Sequence, residues 1–150
     1  MNYPAYIKFT TIGDVKIPMY SSDGAAGIDF FVPNYVSPIK LKPHKQIRIA
    51  SNVMVSIPQG FALVAFNKSG IALKGLQVGA CVVDSDYQGE ISLHVFNYSD
   101  QIIEILPGQK LVQFILLPVS IPFLKQVDKD DLYEEPTVRL GKGFGSTGLM

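Results

Sequence analysis

The sequence predicts an all-β domain, a sandwich or a barrel. Short runs rich in Val, Ile and Phe recur along its 150 residues, and prolines fall between these runs or at their ends. No amphipathic helix of useful length interrupts them. The length fits one domain with a real core.

In chain order, "YIKFT" (6–10) follows Pro4, and "IDFFV" (28–32) runs to Pro33. "QIRIA" (46–50) and "VMVSI" (53–57) precede Pro58, and "FALVAF" (61–66) follows it. "QVGACVV" (77–83) reads as one strand. "EISLHVFN" (90–97) alternates, with Ile91, Leu93 and Val95 on one face and Ser92, His94 and Phe96 on the other. "QIIEIL" (101–106) stops at Pro107, and "KLVQFILLPVSI" (110–121) stops at Pro122. The best helical turn is "SGIALKG" (69–75), with Ser69 as N-cap and Gly75 as stop. "DKDDLYEEP" (128–136) reads as a solvated linker, and the glycine-rich residues after Pro136 read as an arm appended to the β body.

Thirteen basic and thirteen acidic residues balance, so no basic patch points to nucleic acid. Charged residues make up only 17% against 47% apolar, which suggests that another copy of the chain covers part of the surface. Cys81 is the sole cysteine, so no intrachain disulfide forms. The first residues lack a charged n-region and a long apolar run, and no stretch has the roughly 20 apolar residues of a membrane span. A cytoplasmic location is the expectation.

Four stretches carry polar groups where a β protein needs a reason for them. In "VVDSDYQGE" (82–90) an apolar strand runs into Asp84, Asp86 and Tyr87 and then turns at Gln88-Gly89, which reads as a hairpin. Turn chemistry alone explains such residues; the sharper reading makes Asp84 a general base holding a water at a pocket rim. In "FNKSGIALKG" Lys68 and Ser69 precede a helical turn, which suits either plain capping or a phosphate. Gln113 interrupts an apolar strand and needs partners, from backbone or ligand. Asp29 sits in a strand, where aspartate is depleted, and needs a turn, a structural bond or a metal-bound water. No His, Cys and Asp cluster has zinc spacing.

Taken in order, "DGAAGIDF", "NKSGIALK", "GACVVDSDYQGEISLHVFN", "PGQKLVQFI" and "RLGKGFGSTG" resemble the five motifs of the trimeric dUTP pyrophosphatase (dUTPase) family, from about Tyr20 to Gly148. The resemblance implies a jelly-roll homotrimer whose active sites are each built from all three chains. It implies Mg²⁺-assisted hydrolysis of dUTP to dUMP and pyrophosphate, which limits uracil in DNA and supplies dUMP. Asp84 matches the general base and Tyr87 the ring packed on deoxyribose. Cys81, Val82 and Val83, flanked by Gln77 and Ile91, match the uracil-reading segment. Lys68, Ser69, Gly70 and Gln113 match phosphate contacts, and Asp29 matches the acid linked to the metal through water. Arg139 matches the γ-phosphate arginine and Phe144 the ring covering uracil, with Gly145, Ser146 and Thr147 beside the phosphates.

The implied organisation is a β domain over 1–138 and a mobile arm over 139–150 that closes over the nucleotide. Ordering its last ten residues, 141–150, costs on the order of 10 kcal/mol, while a ring–base stack returns about 1–3 kcal/mol, so phosphate contacts must help hold the arm. The sequence departs from the family pattern at several points. Lys68 stands for the usual arginine, and Cys81 for a common glycine; Ile28, Asn67, Leu140 and Lys142 also differ. Within the same superfamily, dCTP deaminase is the alternative; "DSDYQGE" and "GFGSTG" favour the hydrolase. A nucleotide-responsive interaction with a regulatory protein is a third reading, compatible with catalysis.

Overall fold

The computed structural model describes residues 6–137. Its strands are β1 (Lys8–Thr11), β2 (Met19–Tyr20), β3 (Ile28–Phe31), β4 (Ile39–Leu41), β5 (Gln46–Ser56), β6 (Phe61–Asn67), β7 (Leu76–Val78), β8 (Val82–Val83), β9 (Glu90–Asn97), β10 (Ile103–Ile105) and β11 (Lys110–Pro118), with a single helical turn, α1 (Ser69–Ala72), after β6. A four-stranded sheet runs β1-β5-β9-β7, a five-stranded sheet β2-β3-β11-β6-β8, and β10 pairs with β4. Every pairing among the described residues is antiparallel. This is the all-β sandwich that the recurring short runs predict.

Strand periodicity builds the interior. On β9, Ile91, Leu93 and Val95 are buried, and Ser92, His94 and Phe96 face the other way, half-buried. Phe30 of β3 and Phe114 of β11 meet at a ring-centroid distance of 4.6 Å within the same core. Each such side chain contributes roughly 1.5–3 kcal/mol by leaving water. The next residues on these strands, Asp29 and Gln113, are register partners on the face away from that core.

Several local expectations need correction. "QIRIA" and "VMVSI" form one strand, β5, with a register shift between Ala50 and Met54. Asn52 lies in the left-handed region there, at φ 55°, and its N–H donates to the Glu90 carboxylate at 2.6 Å. "QVGACVV" is not one strand: β7 belongs to the four-stranded sheet and β8 to the other, with the break at Gly79–Cys81. For the same reason "VVDSDYQGE" is not a hairpin. β8 pairs with β6, while β9 pairs with β5 and β7, so residues 84–89 cross from one sheet to the other. Ser69 is not the N-cap of α1. Lys68 holds that position with extended backbone, accepts the Ile71 and Ala72 N–H groups at 2.9 and 2.8 Å, and sends its side chain to Asp29. Gly75, at φ 91°, does stop the turn, its N–H donating to the Ala72 carbonyl at 2.9 Å.

The chain divides into two units, Met1–Ser120 and Ile121–Met150. The described part of the second, 121–137, is exposed throughout and carries one 3-10 turn at Lys129–Asp131. The acidic stretch is thus solvated, as expected. Ile121, Phe123 and Leu124 of this unit are exposed as well.

Candidate active site

The crossing from β8 to β9 makes a cleft of about 170 Å³. Cys81, Val82, Val83, Asp84, Tyr87 and Ile91 line it, six residues that the sequence reading groups in one stretch. Ile91 and Phe114 are buried, while Cys81, Asp84 and Tyr87 are exposed. The apolar wall comes from strand residues and the carboxylate from the first residue past β8. Asp84 makes no ion pair among the described residues.

Tyr87 is held from both ends. Its N–H donates to the Asp84 carbonyl at 3.2 Å, and its hydroxyl donates to the Glu90 carbonyl at 2.9 Å. Gly89 lies against the hydroxyl end of the ring, where a Cβ would collide with the phenol oxygen and Cζ. That is the chemical reason for "YQG": the glycine leaves room for the phenol to reach the Glu90 carbonyl. A fixed aromatic plane beside an exposed carboxylate suits a sugar or base next to an activated water.

Asp29 anchors a second polar centre. Its carboxylate is buried, yet three donors reach it: Lys68, Lys110 at 3.0 Å and the Ser21 hydroxyl at 2.5 Å. The Lys110 ammonium also donates to the Ser21 hydroxyl at 2.5 Å. Burial alone raises the Asp29 carboxyl, but the hydrogen bonds from Lys68, Ser21 and Lys110 and the Lys68 charge outweigh it and hold the group below the ordinary aspartate range. The structural bond is therefore what the structure provides for this strand aspartate. With two ammoniums on one carboxylate, the cluster keeps a net positive charge. Lys68, Gly70, Lys74, Gly108 and Lys110 open onto a second cleft of about 660 Å³.

Not every predicted residue joins these clefts. Gln77 is exposed on β7 and lines neither. Ser69 is exposed at the start of α1, outside the lining. A turn of four residues carries little dipole, and its Ile71 and Ala72 N–H groups are already taken by the Lys68 carbonyl. The Gln113 amide donates to the Asn67 carbonyl at 2.8 Å, the backbone partner that a strand glutamine needs. Gly27 makes room for it, since a Cβ there would lie 2.5 Å from the Gln113 oxygen. Arg139, Phe144, Gly145, Ser146 and Thr147 lie outside the described residues.

Sequence reasoning missed Ala80, Glu90, Ser92 and Phe114 in the first cleft, and Lys74 and Lys110 in the second. Alternation along β9 could have placed Ser92 on the face of Glu90. No local signal ties Lys110 to Asp29, 81 positions away.

Among the described residues no group of three or more His, Cys, Asp or Glu could hold a metal ion. Both Asp29 oxygens already accept protein donors. This donor set does not fit an all-protein cage; it fits only a hard cation whose ligands come mostly from substrate oxygens and water.

The two centres occupy separate clefts of one chain and share no lining residue. A family model described as dUTPase matches residues 13–148. A deoxyuridine 5'-triphosphate nucleotidohydrolase of Hydrogenobaculum sp. is 31% identical over 139 residues, covering 91% of this chain and 92% of the relative. One from Chlamydia pneumoniae is 36% identical over 136 residues, covering 89% and 91%. Among solved structures, a Staphylococcus bacteriophage 80alpha dUTPase mutant with dUpNHpp superposes at a TM-score of 0.83, with 23% identity, over 97% of this chain and 100% of that one. A mutant dUTPase from phage phi11 of S. aureus, described with a coordinated structural Mg(II) ion, superposes at 0.71 with 24% identity, over 83% and 97%. These likenesses support the jelly-roll arrangement of the strands.

Proposed function

This chain belongs to the dUTPase family, and from that premise we propose that it hydrolyses dUTP to dUMP and pyrophosphate with Asp84 as the general base. Water attacks the α-phosphorus in line. Its proton passes to the Asp84 carboxylate, and the bond to the oxygen bridging the α- and β-phosphates breaks. The observation that carries this reading is the exposed Asp84 carboxylate, free of ion pairs among the described residues, at the rim of an apolar cleft beside the pinned Tyr87 ring.

The base enters this cleft against Cys81, Val82 and Val83, with Ile91 at its wall. Tyr87 packs on the deoxyribose and leaves no room for a 2′-hydroxyl. The phosphates lie along Lys68, Ser69, Gly70 and Gln113. Where Mg²⁺ is bound, substrate oxygens and water would supply its ligands, Asp29 would reach it only through a water, and it would draw charge off the phosphate oxygens. Asp29 holds the Lys68 and Lys110 ammoniums together where anionic oxygens arrive, so little has to reorganise on binding.

The two centres line separate clefts within one chain, and apolar side chains at 121, 123 and 124 stand exposed. Both features support a homotrimer in which copies complete each other's sites. Residues 139–150 form the arm: Arg139 takes the γ-phosphate, Phe144 covers the base, and Gly145, Ser146 and Thr147 line the phosphates. Pyrophosphate release at fixed Mg²⁺, compared for dUTP, dTTP, dCTP and UTP, tests the reading. Turnover confined largely to dUTP is expected. Folded protein with no dUTP turnover, or ammonia released from dCTP, overturns it.

A further inference from the structure

We infer that His94 is a positioning residue for the Asp84 cleft, holding through the Ala80 amide the backbone that lines it. The inference rests on the reading of that cleft as the nucleotide site. His94 stands on the half-buried face of β9, turned away from the core. Its carbonyl accepts the Gly79 N–H at 2.9 Å, and its Nδ1 accepts the Ala80 N–H at 2.8 Å. A backbone N–H can only donate, so Nδ1 carries a lone pair. The ring proton sits on Nε2 and is donated to Gln46 Oε1 on β5 at 3.0 Å. Gly79 lies directly against the imidazole; a Cβ at that position would collide with Nδ1 and Cε1. One residue therefore holds two consecutive amides, and only glycine admits it.

What the clasp holds is the lining of the cleft. Ala80 itself borders it, followed by Cys81, Val82, Val83 and Asp84. Beyond Ala80 the chain passes to the other sheet: the Cys81 carbonyl accepts the Ala65 N–H at 2.7 Å, and Val82 and Val83 pair with β6. The segment 79–83 is thus fixed to β9 at one end and to β6 at the other. Loss of the ring acceptor leaves the first end on the Gly79 bond alone.

The test compares the unaltered protein with His94→Asn and His94→Leu in dUTP hydrolysis. Hydrogen exchange at the Ala80 amide is followed in parallel. Asparagine places Oδ1 where Nδ1 was. His94→Leu should raise KM about tenfold with kcat within about twofold, and Ala80 should exchange at least about tenfold faster. His94→Asn should keep KM and protection near those of the unaltered protein. An unchanged KM in His94→Leu, or an equal loss in His94→Asn, overturns the inference. If His94→Leu does not fold, His94→Ala takes its place with the same expectations. A protein inert toward dUTP would sink the nucleotide reading, while Ala80 exchange would still judge the clasp.

Discussion

Replacing Asp29 by asparagine removes one charge from a buried cluster and leaves two ammoniums facing an amide. Asp29 is only 1% exposed. Its oxygens accept from Lys68, Lys110 and Ser21. The amide keeps one acceptor, but its NH₂ must then face a lysine or the hydroxyl. Removing one partner of a buried pair typically costs about 3–5 kcal/mol. Here the Lys68 and Lys110 side chains are 23% and 39% exposed and can turn to water, so the loss is smaller. About 2–3 kcal/mol remains, or roughly 5–10 °C in melting temperature for a chain of this length.

The assay is thermal unfolding at fixed protein concentration across pH, because self-association would make melting concentration-dependent. The folded carboxyl lies below its unfolded value. The stabilisation is therefore complete above the ordinary aspartate value of about 3.9 and is lost as pH falls through the lowered folded value. The gap between Asp29→Asn and the unaltered protein should hold from neutral pH down to about pH 4 and shrink only below it. A variant melting within about 2 °C of the unaltered protein at neutral pH refutes the reasoning, as does a gap already closed by about pH 6.

Three further outcomes are expected. Asp84→Asn should lower dUTP turnover by about 10²–10⁴-fold while nucleotide binding, measured by titration calorimetry with a non-hydrolysable analogue, changes little. Leu93→Ala, in the middle of β9 and fully buried, should cost about 3–5 kcal/mol in urea unfolding. Gly27→Ala should push Gln113 off the Asn67 carbonyl, because the new Cβ would lie 2.5 Å from its oxygen. KM for dUTP should then rise about fivefold or more in initial-rate measurements.

The sequence made β9 legible almost residue by residue, because alternation is a local property and both edges of the strand are paired. β2 and β4, with two and three residues, were not legible. Strands that short exist only because β3 and β10 lie beside them. The break at Gly79 was concealed by the β-rich run around it; a glycine inside a strand signals close approach, but not by which partner. Asp84, Tyr87 and the residues before them share a cleft because they are neighbours in the chain. Ser21, Asp29, Lys68 and Lys110 come together through the pairing of β2 with β3, of β3 with β11 and of β11 with β6. Propensity says nothing of such distant company, so the lysine at 110 went unread.

The residues between β8 and β9 bridge the two layers of the sandwich. Asp84 thus takes its coordinates from both halves at once, like a pin through a hinge. Swelling or slippage between the layers, whether from heat, pressure or a void opened in the interior, displaces the carboxylate before either layer loses its own ladder. Turnover should accordingly decline ahead of the bulk unfolding transition.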